Sequence, residues 1–503
     1  MQRVIPTSSP VAVLTKDSVR VQEGILKAFS TQNLILLAGG ATARLAQAIA
    51  PHAQRIWIAA GPGNNGGDGL QAACQLHQRG IDVQVCLLAT PEQLPMDAHA
   101  AWQRAVSLGV PITSQPDDRW LAQLTRQDLC IDALLGIGRS REPSPAMQAW
   151  IERLNQSAAP VLALDVPTGL DADSGQVWGG VPTGLNVVQA DWTITLIAAK
   201  PGLFMGHGRD VCGEIWLDAL TSACPKGTPP PTPDAWLNLE TSPAQIAHAS
   251  HKGSRGDVAI IGGEPMQLNG SGMTGAAILA AKAALHGGAG RVILSLLGAT
   301  TENSAVPPDV MQRQLPQLDL KQLTVVAGCG GGQAIAPLLS DLLRHSARLV
   351  LDADGLNTVS NNTDLRALLR SRGDSPGQFP TVITPHPLEA GRLLDCNAHS
   401  VQQDRLRAAQ SLCDQLQCTV LLKGSGSVIV SPGQTPRINT SGNGLLATGG
   451  TGDVLAGLTG AHLAQGHSAH EAACAAAWQH GAAADAWPPR EALTASRLAS
   501  RLG

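Results

Sequence analysis

Two kinds of apolar pattern alternate along this chain. Arg55–Ala60, Val83–Leu88, Asp128–Leu134, Val161–Val166 and Thr193–Ala198 are short, β-branched apolar runs that read as buried strands. Between them, Leu70–Arg79, Met96–Leu108 and Met147–Asn155 carry the 3.6-residue period of amphipathic helices. The pattern recurs later, with strands predicted at Asp257–Ile261, Val292–Leu296, Thr324–Ala327, Leu349–Leu351, Val382–Thr384, Thr419–Leu422 and Ser427–Val430. Helices are predicted at Thr274–His286, Arg405–Gln415, Val454–Ala464 and His470–Ala484, the last so rich in alanine that close helix packing explains it. Such alternation predicts an α/β protein whose mostly parallel sheets carry helices on both faces. Ligands of these sheets gather in loops at the carboxyl ends of strands, where Asn64–Gly69, Asp132–Arg139 and Asp165–Gly169 fall.

The two stretches of pattern are separated by Thr221–Pro233, in which five of thirteen residues are proline. Such a run neither propagates a helix nor sits inside a sheet. The expected division is an N-terminal domain over residues 1–222, a proline-rich linker over 223–240 and a C-terminal domain over 241–503. With 503 residues, 44% of them hydrophobic and 15% charged, the chain can fill two cores. Lys+Arg 35 against Asp+Glu 39, well interspersed, leaves a net charge of −4 and no basic stripe, so no nucleic-acid partner is expected. Apolar stretches break well short of the roughly 20 residues that a membrane span needs, and Met1–Pro10 lacks the apolar core of a secretory signal. No membrane association and a cytoplasmic location are therefore expected. The ten cysteines, scattered without a C-x-x-C pair, read as buried thiols of a reducing compartment.

Two glycine-rich segments carry the candidate chemistry. Gly61-Pro62-Gly63-Asn64-Asn65-Gly66-Gly67-Asp68-Gly69 follows a predicted strand, and Thr448-Gly449-Gly450-Thr451-Gly452-Asp453 opens a predicted helix. Each places backbone N–H groups at a helix N-terminus, where a phosphate can be held without side-chain charge. In the second, small residues admit a transferring phosphoryl group, and Asp453 can accept the proton of a hydroxyl nucleophile. The same residues also describe a plain helix start whose acid satisfies the dipole. Thr384-Pro385-His386-Pro387-Leu388-Glu389 and Leu422-Lys423-Gly424-Ser425-Gly426-Ser427 each follow a strand, in the order expected of one pocket. Taken singly, His386 also suits a turn and Lys423 a surface lysine snorkelling from a strand end. The N-terminal loop lacks the G-x-G-x-x-G spacing of an ordinary dinucleotide fold and alone also describes a turn.

With His251–Gly256, Ser271–Ala276, Asp352–Asn357 and Asn443-Gly444, the C-terminal motifs resemble the ribokinase-like superfamily, and within it the ADP-dependent NAD(P)H-hydrate dehydratases, from about His251 to the chain end. The resemblance implies a ribokinase-like αβα domain acting on a reduced nicotinamide nucleotide hydrated at C6 of its ring. The terminal phosphate of ADP activates the hydroxyl, and the ring nitrogen then expels phosphate, leaving AMP and NADH or NADPH. It implies that Asp453 is the base and that the amides of Gly450 and Gly452 form an anion hole. Lys423, Gly424, Ser425, Gly426, Ser427 and Gly452 would bind the adenine nucleotide, and Ala276, Gly330 and His386 would contact the hydrate. Glu389 and Asp354 would order Mg²⁺ through water. Gly328-Cys329-Gly330 departs from the family's usual Gly-Pro-Gly.

The N-terminal loop, joined in order by Asp132–Gly138, Leu164–Gly169 and Ala199–Gly202, resembles the NAD(P)H-hydrate epimerase family over roughly residues 10–220. That resemblance implies a Rossmann-like three-layer αβα domain that interconverts R and S hydrates, the dehydratase accepting only S. Asp165 and Lys200 would be its acid–base pair. Asn64, Asn65, Gly66, Gly67 and Asp68, with Gly136, Ile137, Gly138, Arg139, Ser140, Arg141 and Glu142, would cradle the substrate together with Asp165. Asn65, Asp132 and Thr168 would bind K⁺. Leu34–Ala41 departs from the Met-bearing segment usual in the family. Small-molecule substrates (the hydrates of NADH and NADPH, and ADP) and a homo-oligomer are the expected partners. Because Gly450–Asp453 is shared across the superfamily, a kinase for a small alcohol, a vitamin or a sugar, stays open as an alternative. Its N-terminal domain would then be a non-catalytic module that binds nucleotide or protein.

Overall fold

The computed structural model describes residues 1–4, 10–138, 142–225, 228–240, 247–266, 270, 272–298, 304–374 and 378–502. The chain divides into two compact units, one containing Val11–Ala235 and the other running from Trp236 onward. Within the segment 223–240, Ala235–Leu237 forms a strand whose Trp236 and Leu237 pair in parallel with Arg437 and Ile438.

The first unit has a sheet in the order Gln2–Arg3, Glu214–Asp218, Trp192–Leu196, Val161–Leu164, Leu129–Ala133, Arg55–Ala60, Asp82–Leu87, Ile112–Thr113. All neighbours are parallel except the first pair. Arg55–Ala60 comes first in the chain among the central strands, and the chain winds outward from it in both directions. Its shared edge with Leu129–Ala133 is therefore the topological switch point, where such sheets bind ligands. Ile56 and Ile58 face a core with Ala38, Leu45, Leu70 and Leu76, whereas Trp57 and Ala59 face another with Trp150, Ile151 and Leu154. Alternate residues thus reach opposite helix layers, as a doubly covered sheet requires.

The second unit follows the same rule with the order Met311–Gln312, Arg291–Leu296, Asp257–Gly262, Thr324–Ala327, Arg348–Leu351, Thr381–Ile383, Thr419–Leu422, Val428–Val430, Arg437–Ile438, Ala235–Leu237. The run from Met311–Gln312 to Thr419–Leu422 is parallel, and Val428–Val430 is antiparallel to both its neighbours. Its switch point lies between Asp257–Gly262 and Thr324–Ala327. Helices Thr274–His286, Thr451–Ala464 and Ala469–Asp485 bury their alanines with Val258, Ile260, Val326 and Val350 on one face. The helices approach closely because glycine sits at the crossing. A methyl on Gly457 would lie 2.0 Å from the Ala280 carbonyl oxygen, and one on Gly460 2.4 Å from Val326.

Strands fall within a residue or two of their expected places, and the α/β architecture is the one the alternation implied. The two glycine-rich segments differ from expectation in one respect. Helix Asn64–His77 begins six residues before Leu70, and Thr451–Ala464 three before Val454, so Asn64–Asp68 and Gly452–Asp453 are first-turn residues. Tertiary packing overrides the poor helix propensity of glycine here. A methyl on Gly66 would stand 2.0 Å from the Gly61 carbonyl oxygen, on Gly67 2.8 Å from Ala98, and on Gly69 2.6 Å from Ala133. Among the described residues no helix is long and apolar enough to cross a membrane, and nine of the ten cysteines are at least partly buried, all ten being free thiols.

Candidate active sites

In the first unit, Asp165 and Lys200 meet. The Lys200 ammonium is fully buried and donates to Asp165 Oδ1, to Thr195 Oγ1 at 3.0 Å and to the Leu196 carbonyl at 2.6 Å. Its three protons are thus all used. Burial is the largest influence on Lys200 and pulls its pKa below that of a free lysine, against the opposing pull of Asp165. The backbone is strained on both sides of the pair, with Asp165 at φ 71° and the β-branched Ile197 at φ 69°. Positive φ in a residue such as Ile197 persists only where surrounding structure over-determines it, and it clusters at functional sites. Here it folds the segment after Trp192–Leu196 back so that Thr195, Leu196 and Lys200 converge on one carboxylate.

Asp132 and Thr168 form a second buried group next to that pair in sequence and sheet. Asp132 accepts hydrogen bonds from the Leu134 amide at 3.1 Å and from the Thr168 amide and hydroxyl at 2.8 Å each. Burial drives its carboxyl up to about 6 against the opposing pull of these three hydrogen bonds. A methyl on Gly136 would stand 3.2 Å from Asn65 Oδ1 and 3.4 Å from Asp165 Oδ2. Gly136 therefore lets Asn65 and Asp165 share one small space. Asn65 Nδ2 is buried without a partner, and Asn65 makes no hydrogen bond to Asp132 or Thr168 among the described residues. Asp68 is held well above the usual carboxylate range, mainly by burial and then by the charge of Asp165. Gly63 is the N-cap of the helix, and no side chain of its own caps the first-turn amides of Asn64–Gly66. Ile137 packs partly against Leu14, Val19 and Ala198, and Glu142 is exposed. Arg139, Ser140 and Arg141 lie outside the described residues.

In the second unit, Gly450 takes a left-handed φ of 88° and turns the chain into helix Thr451–Ala464, so that Asp453 sits on its first turn. One oxygen of Asp453, one of Asp352 and the Cys329 sulfur lie within 4.8 Å of one another. Burial, then the Asp352 charge, raises the Asp453 carboxyl to about 6, while the Cys329 thiol hydrogen-bonds to it and pulls the other way. Cys329 is itself pushed well above a free thiol by burial, so it remains S–H and donates. Lys423 Nζ lies 2.6 Å from Asp352 Oδ1 and 3.9 Å from Glu389 Oε2, and would stand 3.5 Å from a methyl on Gly452. These two carboxylates outweigh the effect of burial and keep Lys423 above an ordinary lysine.

His386 caps helix Pro387–Leu393. Its Nδ1 accepts from the Leu388 and Glu389 amides at 3.1 and 3.3 Å, and its own amide donates to Glu389 Oε2 at 2.8 Å. That pattern assigns the proton to Nε2, which lies 3.3 Å from Glu389 Oε1. Burial first, then the positive charge of Lys423, lowers the His386 pKa, so the ring is a neutral donor at pH 7. Gly330, at φ 58°, packs so that a methyl there would stand 2.9 Å from Ala276 Cβ, bringing those two residues into one wall. Asp354 Oδ2 accepts from the Gly332 amide at 2.8 Å, away from the hydrogen bonds of Glu389. The structure thus gathers Asp453, Lys423, Gly452, His386 and Glu389 around Asp352, and Ala276 with Gly330.

Three participants had no assigned role from sequence: Asp352, Cys329 and Thr195. Asp352 follows the apolar run Leu349–Leu351 directly, a position that in a parallel sheet reads as ligand-facing. Thr195 and Cys329 gave no such signal, since a threonine within a strand and a cysteine between glycines look like packing residues.

A family model described as NAD(P)H-hydrate dehydratase matches residues 258–502, and one described as YjeF-related protein N-terminus matches residues 31–202. The chain is 33% identical to the bifunctional NAD(P)H-hydrate repair enzyme Nnr of Escherichia coli (strain K12), over 95% of this chain and 90% of that protein. It is 34% identical to the protein of the same name from Coxiella burnetii, over 93% of this chain and 92% of that one. Among solved structures, an ADP/ATP-dependent NAD(P)H-hydrate dehydratase from Bacillus subtilis, co-crystallized with ATP/Mg²⁺, matches at 26% identity and TM-score 0.44, covering 51% of this chain and 91% of that one.

Proposed function

The chain belongs to the bifunctional NAD(P)H-hydrate repair enzymes, and from that premise we propose how its residues share the two reactions. The first unit interconverts R and S hydrates; the second dehydrates the S form with ADP as phosphoryl donor, giving NADH or NADPH, AMP and phosphate.

For dehydration, Asp453 takes the proton from the C6 hydroxyl as its oxygen attacks the terminal phosphorus of ADP. The amides of the cap residue Gly450 and of Gly452 and the Lys423 ammonium face the charge that develops on the transferred group. Loss of phosphate from C6, driven by the ring nitrogen lone pair, and of a proton from C5 restores the dihydropyridine. The observation that carries this reading is the raised carboxyl of Asp453, beside a lysine held cationic by Asp352 and Glu389. A carboxyl near pH 6 is a far better proton acceptor than one near 4, yet it is still ionised at pH 7. Asp354 keeps Oδ1 free of hydrogen bonds among the described residues. It fits the water shell of a Mg²⁺ arriving with ADP, which would neutralise diphosphate charge.

For epimerisation, the Asp165–Lys200 pair moves protons as the C6–O bond or the ring opens and recloses, with Asn64, Asn65, Gly66, Gly67 and Asp68 and the Gly136–Gly138 loop holding the nucleotide. Asp132 and Thr168 fit a K⁺ ion, because Asp132 is a buried carboxylate without a balancing cation among the described residues. Asn65 would join them through Oδ1. The ion would supply positive charge close to the substrate phosphates. In a reducing cytoplasm, where this coenzyme damage arises, the chain's free thiols stay reduced.

The test uses the full-length protein with separated R and S hydrates and either ADP or ATP, following recovered reduced-nicotinamide absorbance and AMP. Wild type restores both epimers with ADP. Asp453→Asn restores neither, yet still equilibrates R with S. Retention of S-hydrate turnover by Asp453→Asn overturns the assignment of the base.

A further inference from the structure

Arg405 is among the most deeply buried side chains in the protein, at 1% exposure, and it has no carboxylate partner among the described residues. Buried cations are normally paired, because desolvating a lone one is strongly unfavourable. Burial alone lowers Arg405, to about 10, so it stays charged at neutral pH. Its Nη1 donates to Gln402 Oε1 at 2.6 Å. Its Nη2 faces the carbonyl oxygens of Leu422 at 3.2 Å, Lys423 at 3.2 Å and Gly426 at 3.4 Å, and Nε has no partner. The guanidinium lies directly beneath Gly424: that residue has φ 146°, and a methyl on it would stand 2.7 Å from Nη1.

In a trans peptide the C=O and N–H point in opposite directions. Drawing the Gly426 carbonyl onto the guanidinium therefore turns the Ser427 amide hydrogen to the opposite face of the loop, while the Gly424 amide donates to Ser427 Oγ at 3.3 Å and the Lys423 amide to the Pro385 carbonyl at 2.9 Å. We propose that Arg405 is a positioning residue for the phosphoryl donor: without touching the nucleotide, it holds the Lys423–Ser427 loop in place through its carbonyls and lends it a positive charge that no carboxylate among the described residues pairs with. This rests on the reading of that loop as the ADP site. The anionic nucleotide then supplies the missing counter-charge, so loop order and ADP binding reinforce each other.

The test measures ADP binding by calorimetry and steady-state dehydration of the S hydrate in wild type, Arg405→Met and Arg405→Lys, each with its thermal midpoint. Removing one charge-assisted hydrogen-bond donor from three carbonyls should raise Kd and KM for ADP by roughly tenfold in Arg405→Met. KM for the hydrate should stay within about twofold, and kcat at saturating ADP should change far less than KM. Arg405→Lys, which keeps the charge but loses the planar fork, should fall between the two. The thermal midpoint of Arg405→Met reports whether it folds, since the substitution both removes a buried charge and strands three carbonyls; a merely structural arginine would change the midpoint and leave ADP affinity intact. Wild-type ADP affinity in a folded Arg405→Met overturns the inference, and should that variant fail to fold, wild-type affinity in Arg405→Lys does so. If wild type itself binds no ADP, the reading of the loop fails instead.

Discussion

The proposed base makes a pH profile the most exacting test of the dehydratase site. Asp453 ionises at about 6 in place of 3.8, a difference worth about 3 kcal/mol in favour of the protonated acid. A base of that strength is roughly one-tenth ionised at pH 5 and nearly all ionised at pH 8, so kcat/KM for the S hydrate should fall about tenfold per unit on the acid side. The phosphate of ADP also titrates near 6, and a single profile would not separate the two groups. Cys329 does. Its thiol donates to the Asp453 carboxylate and holds that pKa down, so Cys329→Ala should move the acid limb upward by about half a unit, a weak donor being worth less than a full hydrogen bond. The nucleotide's own titration is untouched by that change. Profiles of the two proteins, measured from pH 4.5 to about 8.5 at saturating ADP, that superimpose would refute the placement of Asp453 in the chemistry. The same carboxyl acts on stability with a definite sign. Its folded pKa lies above the unfolded value, so the stabilisation it gives is present below about pH 4 and is lost as pH rises through about 6.

Other expectations follow from the remaining contacts. Asp165→Asn and Lys200→Ala should each cut interconversion of the hydrates by about a hundredfold or more, leaving S-hydrate turnover with ADP near wild type; equal loss of both activities would point to misfolding and sink the division of labour. K⁺ should raise the thermal midpoint at about pH 8 relative to a bulky organic cation, and the increment should vanish near pH 5, where Asp132, titrating at about 6, is protonated; an increment independent of pH would remove Asp132 from the ion site. Gly457→Ala drives a methyl to 2.0 Å from the Ala280 carbonyl oxygen and should destabilise the second unit by roughly 1–3 kcal/mol or more, visible by calorimetry as a lowered transition, with an unchanged trace counting against that helix crossing.

How much of this was legible in the chain depends on the length scale of the signal. Strands such as Arg55–Ala60 and Thr324–Ala327 were readable because fully buried parallel strands are short, continuous apolar runs. The helix start at Asn64, six residues before the expected Leu70, was not, because glycine's low propensity hides a first turn held by close backbone approach of Gly66 to Gly61, whereas the start at Thr451 falls within the segment expected to open a helix. The motif residues Lys423, Asp453, Asp165 and Lys200 stood out by type and order. What surrounds them did not. The pairing of Lys423 with Asp352 bridges seventy-one positions, and the contact of Thr195 with Lys200 depends on positive φ at Ile197; neither has a local pattern. Arg405 was read only as the first residue of a helix, since nothing in its neighbours tells a buried guanidinium from an exposed one.

The two proposed sites each use a buried lysine against an aspartate, and the difference between them fits the two reactions. Lys200 faces a single carboxylate in a fully enclosed space, and burial prevails, drawing its pKa below that of a free lysine. A lysine lowered in this way gives up and regains its proton more readily, as an epimerase working in both directions needs. Lys423 faces two carboxylates, Asp352 and Glu389, and attraction prevails, fixing the charge. Phosphoryl transfer calls for a cation that never gives up its proton to the departing group, while the proton itself goes to Asp453. Replacing Glu389 by Gln should therefore weaken Lys423 as a cation and loosen the His386 turn together, because its carboxylate serves both. Its effect should appear in the dehydratase alone. A Glu389→Gln protein that dehydrates the S hydrate at the wild-type rate across pH 7 to about 9 would show that one carboxylate suffices, and the contrast between the two lysines would lose its chemical meaning.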